Sequence, residues 1–373
     1  MATHGTATAE ELARIRAKIG QIVTINEPPY LTEVTRDSVR QWAQATGDRN
    51  RLFVDEAYAR ASRHQSLLAP PCQLYAYSRI SIGYRGGLPG VHSFFAGSHW
   101  RWHEPIKVGE RITPEITFTG LDELPSRFAG RMFKQISLIR YLNGDGRELA
   151  QADSWGMRVE RVAAKEKGKY KKLELAEKYT RERIEEIATR YAEEKCRGSD
   201  TPYFDDVKVG DAIPSIIRGP YTATIAVAFE QAWGGLYIKA HGYWFDYLRR
   251  HPAAGIPNSY NIPEPPEAVH WDSPLARSVG VPEAYDYGPE RVAWIATMLT
   301  NWVGDEGFLK ELYCEVRRFN MIGDLTTCRG KVIAKDDAAG TLKLEIEAVD
   351  QRGDSTASGW AVVRLPRRAT STA

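Results

Sequence analysis

The chain repeats itself, and that repetition limits the folds open to it more than any other feature. Val54–Arg60 (VDEAYAR) reads like Trp271–Arg277 (WDSPLAR) at an offset of 217 residues. A second echo follows in the same order: His103–Glu110 (HEPIKVGE) resembles Phe319–Asp324 (FNMIGD), with the glycines 214 residues apart. Equal order and nearly equal offset predict a duplicated domain, whose copies begin near Gly20 and Phe204. The 373 residues suit two domains of ordinary size. The expected division is residues 1–162, a linker over 163–200, and residues 201–373.

Both halves follow one pattern of short helices, a central apolar segment, and then strands separated by turns. In the first half Asp37–Thr46 and Asp55–Ser62 read as helices and Pro71–Ile82 as a longer apolar helix. Strands are predicted near Arg111–Thr119, Phe133–Leu142 and Glu148–Val159, with Asn143–Gly146 as a hairpin turn. In the second half Val292, Ile295, Ala296, Leu299 and Trp302 recur at helical spacing within Pro289–Val303. Strands then read near Phe308–Arg318, Thr326–Ala334, Thr341–Asp350 and Ser355–Leu365. Helices followed by an antiparallel sheet give an α+β class. A long helix wrapped by such a sheet is the hot-dog arrangement, and two copies pair into one continuous sheet as a tandem, or double, hot-dog. The charged stretch Ala163–Gly198 reads as a connecting helix with a thin apolar stripe.

Composition narrows the function. Fifty Lys and Arg stand against 48 Asp and Glu, a net charge of +2 with no concentrated basic stripe, so nucleic acid is not an expected partner. Cys72, Cys196, Cys314 and Cys328 form no C-x-x-C pair, which argues against a zinc knuckle or a disulfide framework and for a reducing cytoplasm. No stretch approaches the roughly 18 apolar residues of a membrane span, and the N-terminus carries no signal-like apolar run. His99, Arg101 and His103 alternate along one strand face without the spacing of a metal site. There is no Gly-rich phosphate loop and no G-x-S-x-G elbow.

The segment Gly47-Asp48-Arg49-Asn50-Arg51-Leu52-Phe53-Val54-Asp55 resembles the signature G-D-x-N-P-x-H-x-D of MaoC-like (R)-specific enoyl-CoA hydratases, with Arg51 in place of the proline and Phe53 in place of the histidine. Arg197 to Asp211 is similar to the same region of fused acyl dehydratases, in which a FAS1-like dehydratase domain precedes a second hot-dog. The resemblance spans the chain apart from its first twenty residues and an insert near 236–266. It implies a hydratase or dehydratase acting on an α,β-unsaturated or 3-hydroxy acyl-CoA thioester, with no cofactor. A hot-dog thioesterase and a non-catalytic acyl-CoA-binding subunit are the alternatives, and either a homo-oligomer or a second hot-dog subunit fits.

Hydration of an enoyl thioester needs one group to deprotonate water, another to protonate the α-carbon, and N–H donors for the charge that develops on the thioester oxygen. Phe53 cannot exchange a proton, so Asp48 and Asn50 are expected to bind substrate, or Asp48 only to cap local N–H groups. The duplication places His270 opposite Phe53, making it the candidate acid/base. The residue five positions before it is Pro265. Its carboxylate partner must therefore come from elsewhere, and Glu267, Asp272, Glu264 and Asp246 are the candidates. Gly288, ahead of Pro289 at a helix start, is the expected oxyanion donor. Tyr285 and Arg291 are candidate substrate contacts, with an Arg291–Asp286 or Arg291–Asp305 ion pair as the structural alternative. The insert Leu236–Pro266 is expected to form a wall or lid.

Overall fold

The computed structural model of the chain describes residues 7–23, 29–78, 91–125, 131–160, 174–234 and 238–368. Four strands come from the first half: β1 (Val91–Trp102), β2 (Thr113–Pro125), β3 (Arg131–Leu142) and β4 (Glu148–Glu160). The second half adds β5 (Ala212–Arg218), β8 (Phe308–Val316), β9 (Thr326–Asp336), β10 (Thr341–Val349) and β11 (Ser355–Arg364). Together they form one nine-stranded sheet in the order β2-β3-β4-β1-β8-β11-β10-β9-β5. The halves meet where β1 pairs antiparallel with β8, Gly97 to Arg101 against Glu315 to Glu311. The insert contributes only the two-residue ladder β6 (Ile256–Pro257) with β7 (Pro263–Glu264).

Alternation along the strands explains which face is covered. In β9, Thr326, Cys328, Gly330 and Val332 are buried while Arg329 and Lys331 face water, as a period of two requires when one face packs on a core. That core is the helix Gly288–Val303, which lies against β1, β5, β8, β9, β10 and β11. Every residue from Pro289 to Val303 is buried. A helix buried on every side has to be enclosed, and here the sheet and the short helices enclose it.

The sequence echoes fall on equivalent structures. Asp55 caps the helix Glu56–Ala61 by accepting from the Tyr58 N–H, and Asp272 caps Ser273–Ser278 by accepting from the Leu275 N–H. Gly109 and Gly323 both adopt positive φ, at 99° and 92°. Their N–H groups donate to Val34 and Tyr221 carbonyls, each at 2.8 Å. Two further helices match: Arg36–Thr46, capped by Thr35 and closed by left-handed Gly47, and Ala223–Trp233, capped by Thr222 and closed by left-handed Gly234. These two pack together through Trp42 and Phe229, with ring centroids 5.4 Å apart. Between its glycine and its second capping aspartate the second half is longer by about thirty residues, which form the helix His241–Arg250 and the small ladder.

Two expectations need correction. The long first-half helix over Pro71–Ile82 is, within the described residues, a 3-10 turn Pro71–Leu74 followed by one helical turn Tyr75–Ser78; residues 79–82 lie outside them. Of the charged stretch, residues 163–173 lie outside the described ones; within the rest the helix runs Arg181–Glu193, with Ile187 buried against Ile217 and Leu325.

Candidate active site

His270 ends the 3-10 helix Pro266–His270. Its Nδ1 lies 2.7 Å from the Tyr285 carbonyl oxygen. A carbonyl can only accept, so Nδ1 carries the proton and Nε2 keeps the lone pair. The imidazole also stacks on the Tyr287 ring, with centroids 3.8 Å apart, and meets the Tyr285 ring edge-on at 4.7 Å. Tyr285 therefore orients the histidine through its backbone and ring, while its strand-like bridge to Met321 fixes the segment in place.

The candidate carboxylates separate clearly. Asp272 is occupied as a helix cap, Asp246 is an exposed partner of Arg249, and Glu264 accepts from the Asn258 amide at 3.1 Å. Glu267 differs. It is 3% exposed, and neither oxygen has a hydrogen-bond partner in another described residue. Side chains three apart on a 3-10 helix eclipse, so Glu267 and His270 share one face of their turn. Burial, with Glu230 beside it, pushes the Glu267 carboxyl well above the usual range.

Glu230 was missed by reading the sequence. It projects from Ala223–Trp233 and is itself buried, and the Tyr287 hydroxyl lies against it. The signal was present: Glu230 is the one acidic residue in the apolar run ATIAVAFEQAW, and it takes the buried face. The matching helix caps also revise the search for an aspartate. Gly47 is followed by Asp48, whereas Gly234 is followed by Gly235, a residue outside the described ones. The second copy thus has a glycine where the first has its carboxylate.

Gly288 opens the central helix, after Tyr287 as the N-cap and with Pro289 second. A Cβ built on Gly288 would lie 2.4 Å from a ring carbon of Phe95, so the first half's β1 closes over this helix start and only glycine fits. Arg291 is 1% exposed and faces inward. Its Nε donates to Asp286 Oδ2 at 2.8 Å, its Nη2 donates to the other carboxylate oxygen, and its Nη1 reaches the carbonyls of Arg318 and Thr356 at 2.7 and 2.8 Å. Four of its five guanidinium N–H donors are held in this way, and the ion pair with Asp286 is its place in the fold.

In the first half, Asp48 accepts from the Asn50 N–H at 3.0 Å and from the Thr297 hydroxyl at 3.1 Å. Burial raises its carboxyl to about 6, against the opposing pull of these bonds and of Arg218. Arg218 holds the loop from below through the Thr46 and Gly47 carbonyls and pairs with Glu194 at 2.8 Å. Asn50 caps the next turn by accepting from the Leu52 N–H. A cavity opens beside it, bounded by Asn50, Phe53, Leu68, Trp102, Thr300 and Val303. Its walls are mostly apolar, and Phe53, at the histidine position of the signature the segment resembles, is one of them.

The insert places Tyr243, Phe245, Tyr260 and Ile262 at the surface, while Trp244 and Tyr247 pack inward, so it forms an outer wall. Among the described residues no helix is long and apolar enough to cross a membrane.

Comparison with known proteins agrees with this architecture. Residues 21–151 match the FAS1-like, dehydratase domain region family. The 3-oxo-4,17-pregnadiene-20-carboxyl-CoA hydratase alpha subunit of Mycobacterium tuberculosis is 37% identical over 60 residues, 15% of this chain and only 19% of that protein. A UPF0336 protein of Streptomyces griseus is 28% identical over 102 residues, covering 26% of this chain and 67% of that one. Among solved structures, a MaoC-like dehydratase aligns with a TM-score of 0.65 at 17% identity, covering 95% of this chain and all of the other. A Mycobacterium tuberculosis protein described as a double hot-dog aligns with a TM-score of 0.55 at 12% identity, over 93% and 96% of the two chains. This chain has the double hot-dog fold, and its residues 21–151 are similar to the FAS1-like, dehydratase domain region family.

Proposed function

We propose that this protein is a hydratase or dehydratase acting on an α,β-unsaturated or 3-hydroxy acyl thioester, with acyl-CoA as the substrate form and His270 as the acid/base. The observation that carries this reading is the 2.7 Å contact of His270 Nδ1 with the Tyr285 carbonyl, which leaves Nε2 as the base while the Tyr287 ring fixes the plane of the imidazole. Gly288, at the start of the enclosed helix, supplies an N–H and a partial positive charge for the thioester oxygen as charge develops there. The match to a dehydratase domain region and the short stretch shared with a CoA-thioester hydratase subunit support the reaction class. The first half, with Phe53 at the matching position, binds and shapes without exchanging protons.

The test is turnover of an enoyl-CoA by His270→Ala and Asp48→Asn, with folding checked by thermal unfolding. His270→Ala should lower the rate about 100-fold or more, and Asp48→Asn should do much less. If Asp48→Asn abolishes turnover and His270→Ala does not, the chemistry belongs to the first half. Release of free thiol without hydration would make the protein a thioesterase. No turnover in the native protein, restored by adding a second hot-dog subunit, would make it a binding subunit.

A further inference from the structure

We propose that Glu267 is the proton donor to the α-carbon of the substrate, in place of the aspartate that this half of the chain lacks, and that Glu230 is the residue that keeps it suited to that task. The inference rests on the hydratase reading above and names a second catalytic residue for the same site.

The geometry is unusual for a structural glutamate. Glu267 is buried, yet among the described residues it has no arginine or lysine partner and neither of its oxygens is hydrogen-bonded to another residue. A buried carboxylate left this way costs several kcal/mol when ionised, so a purely structural position would favour an apolar residue. Glu267 also shares a turn face with His270, and Tyr287 stacks on the imidazole while its hydroxyl lies beside Glu230, the neighbour of Glu267. Among the described residues the titratable groups around Glu267 are Glu230 from Ala223–Trp233 and Tyr287 from the cap of the central helix, with His270 three positions along its own turn. Burial and the negative neighbour both favour the protonated carboxyl. A carboxylic acid kept neutral by its surroundings is the form that can donate at neutral pH.

The reaction balances with these groups alone. Water oxygen bonds to the β-carbon as His270 Nε2 takes a proton from the water, and the π pair moves to the α-carbon and thioester oxygen. The α-carbon then takes the Glu267 proton. The imidazolium returns its proton to the Glu267 carboxylate, restoring both groups with one water added. Dehydration runs the same steps in reverse.

Glu267→Gln, an isostere without an acidic proton, should lower kcat for enoyl-CoA hydration about 100-fold while KM changes less than about threefold and thermal stability is kept. Glu230→Gln should move the alkaline limb of the kcat–pH profile to lower pH, because removing the negative neighbour makes Glu267 lose its proton sooner. If Glu267→Gln turns over at the native rate while His270→Ala is inactive, Glu267 is not the donor and the hydratase reading stands. If both variants turn over normally, both fall. An unmoved alkaline limb in Glu230→Gln would overturn the role given to Glu230.

Discussion

Thr297, on the second half's central helix, donates its hydroxyl to Asp48, in the first half's loop, at 3.1 Å. The bond joins two segments that are far apart in sequence, and its acceptor is a carboxyl raised by burial from 3.8 to about 6. A carboxyl raised in the fold above its unfolded value favours folding most below the unfolded pKa, and that contribution is lost as pH rises through the folded one. Between about pH 4 and pH 6 Asp48 should therefore withdraw about 3 kcal/mol of stability. Asp48→Asn removes this dependence, so urea unfolding across that window should show the variant gaining on the native protein as pH rises. Parallel stability curves would show that Asp48 is already ionised at low pH.

The fit of Phe95 against Gly288 predicts a specific repair. Gly288→Ala places a methyl group 2.4 Å from the Phe95 ring and should cost about 1–3 kcal/mol by overpacking. Phe95→Leu opens that space, so the double variant should be more stable than the sum of the single effects predicts. Additive melting shifts would mean that the helix start, and not the ring, absorbs the strain.

Removing Arg291 leaves Asp286 buried without its cation. Arg291→Met should destabilise by about 3–5 kcal/mol in chemical denaturation. Adding Asp286→Asn should recover part of this loss but not all, because the carbonyls of Arg318 and Thr356 also lose their donor.

Leu299 is fully buried at the centre of the enclosed helix. Leu299→Ala should cost about 2–5 kcal/mol, and Leu299→Asp enough to prevent folding. A change below about 1 kcal/mol in the alanine variant would mean that the core closes around the missing volume.

Much of the architecture could be read from residue patterns, because burial on one face imposes a period on the chain. The helix at Pro289–Val303 and the strands near Phe133, Glu148, Thr326, Thr341 and Ser355 were visible this way, within a few residues at their ends. The echo of Asp55 in Asp272 was visible because the same capping chemistry recurs. Glu267 was readable as a candidate partner of His270, but Glu230 was not. Glu230 and Glu267 lie on different elements, and only the packing of Ala223–Trp233 against the start of the central helix brings them together. Sequence spacing also pointed to Pro265 as the counterpart of Asp48, because the insert hides the register; the Gly47 and Gly234 caps restore it. Arg291 was ambiguous because a guanidinium near a site reads the same whether it faces substrate or a buried carboxylate.

The seam between β1 and β8 does more than hold the halves side by side. Two identical chains meeting at such a seam would carry every substitution twice, so a phenylalanine at one histidine position would silence both sites together. Here each position occurs twice under different numbers. Under the proposed function, Phe53 specialises one copy for holding while His270 keeps the other reactive, and glutamates that the first copy does not have offset the missing aspartate beside Gly234. In that reading, covalent fusion across a continuous sheet turns a symmetric pair into a division of labour, with mutational freedom on one side that does not disarm the other.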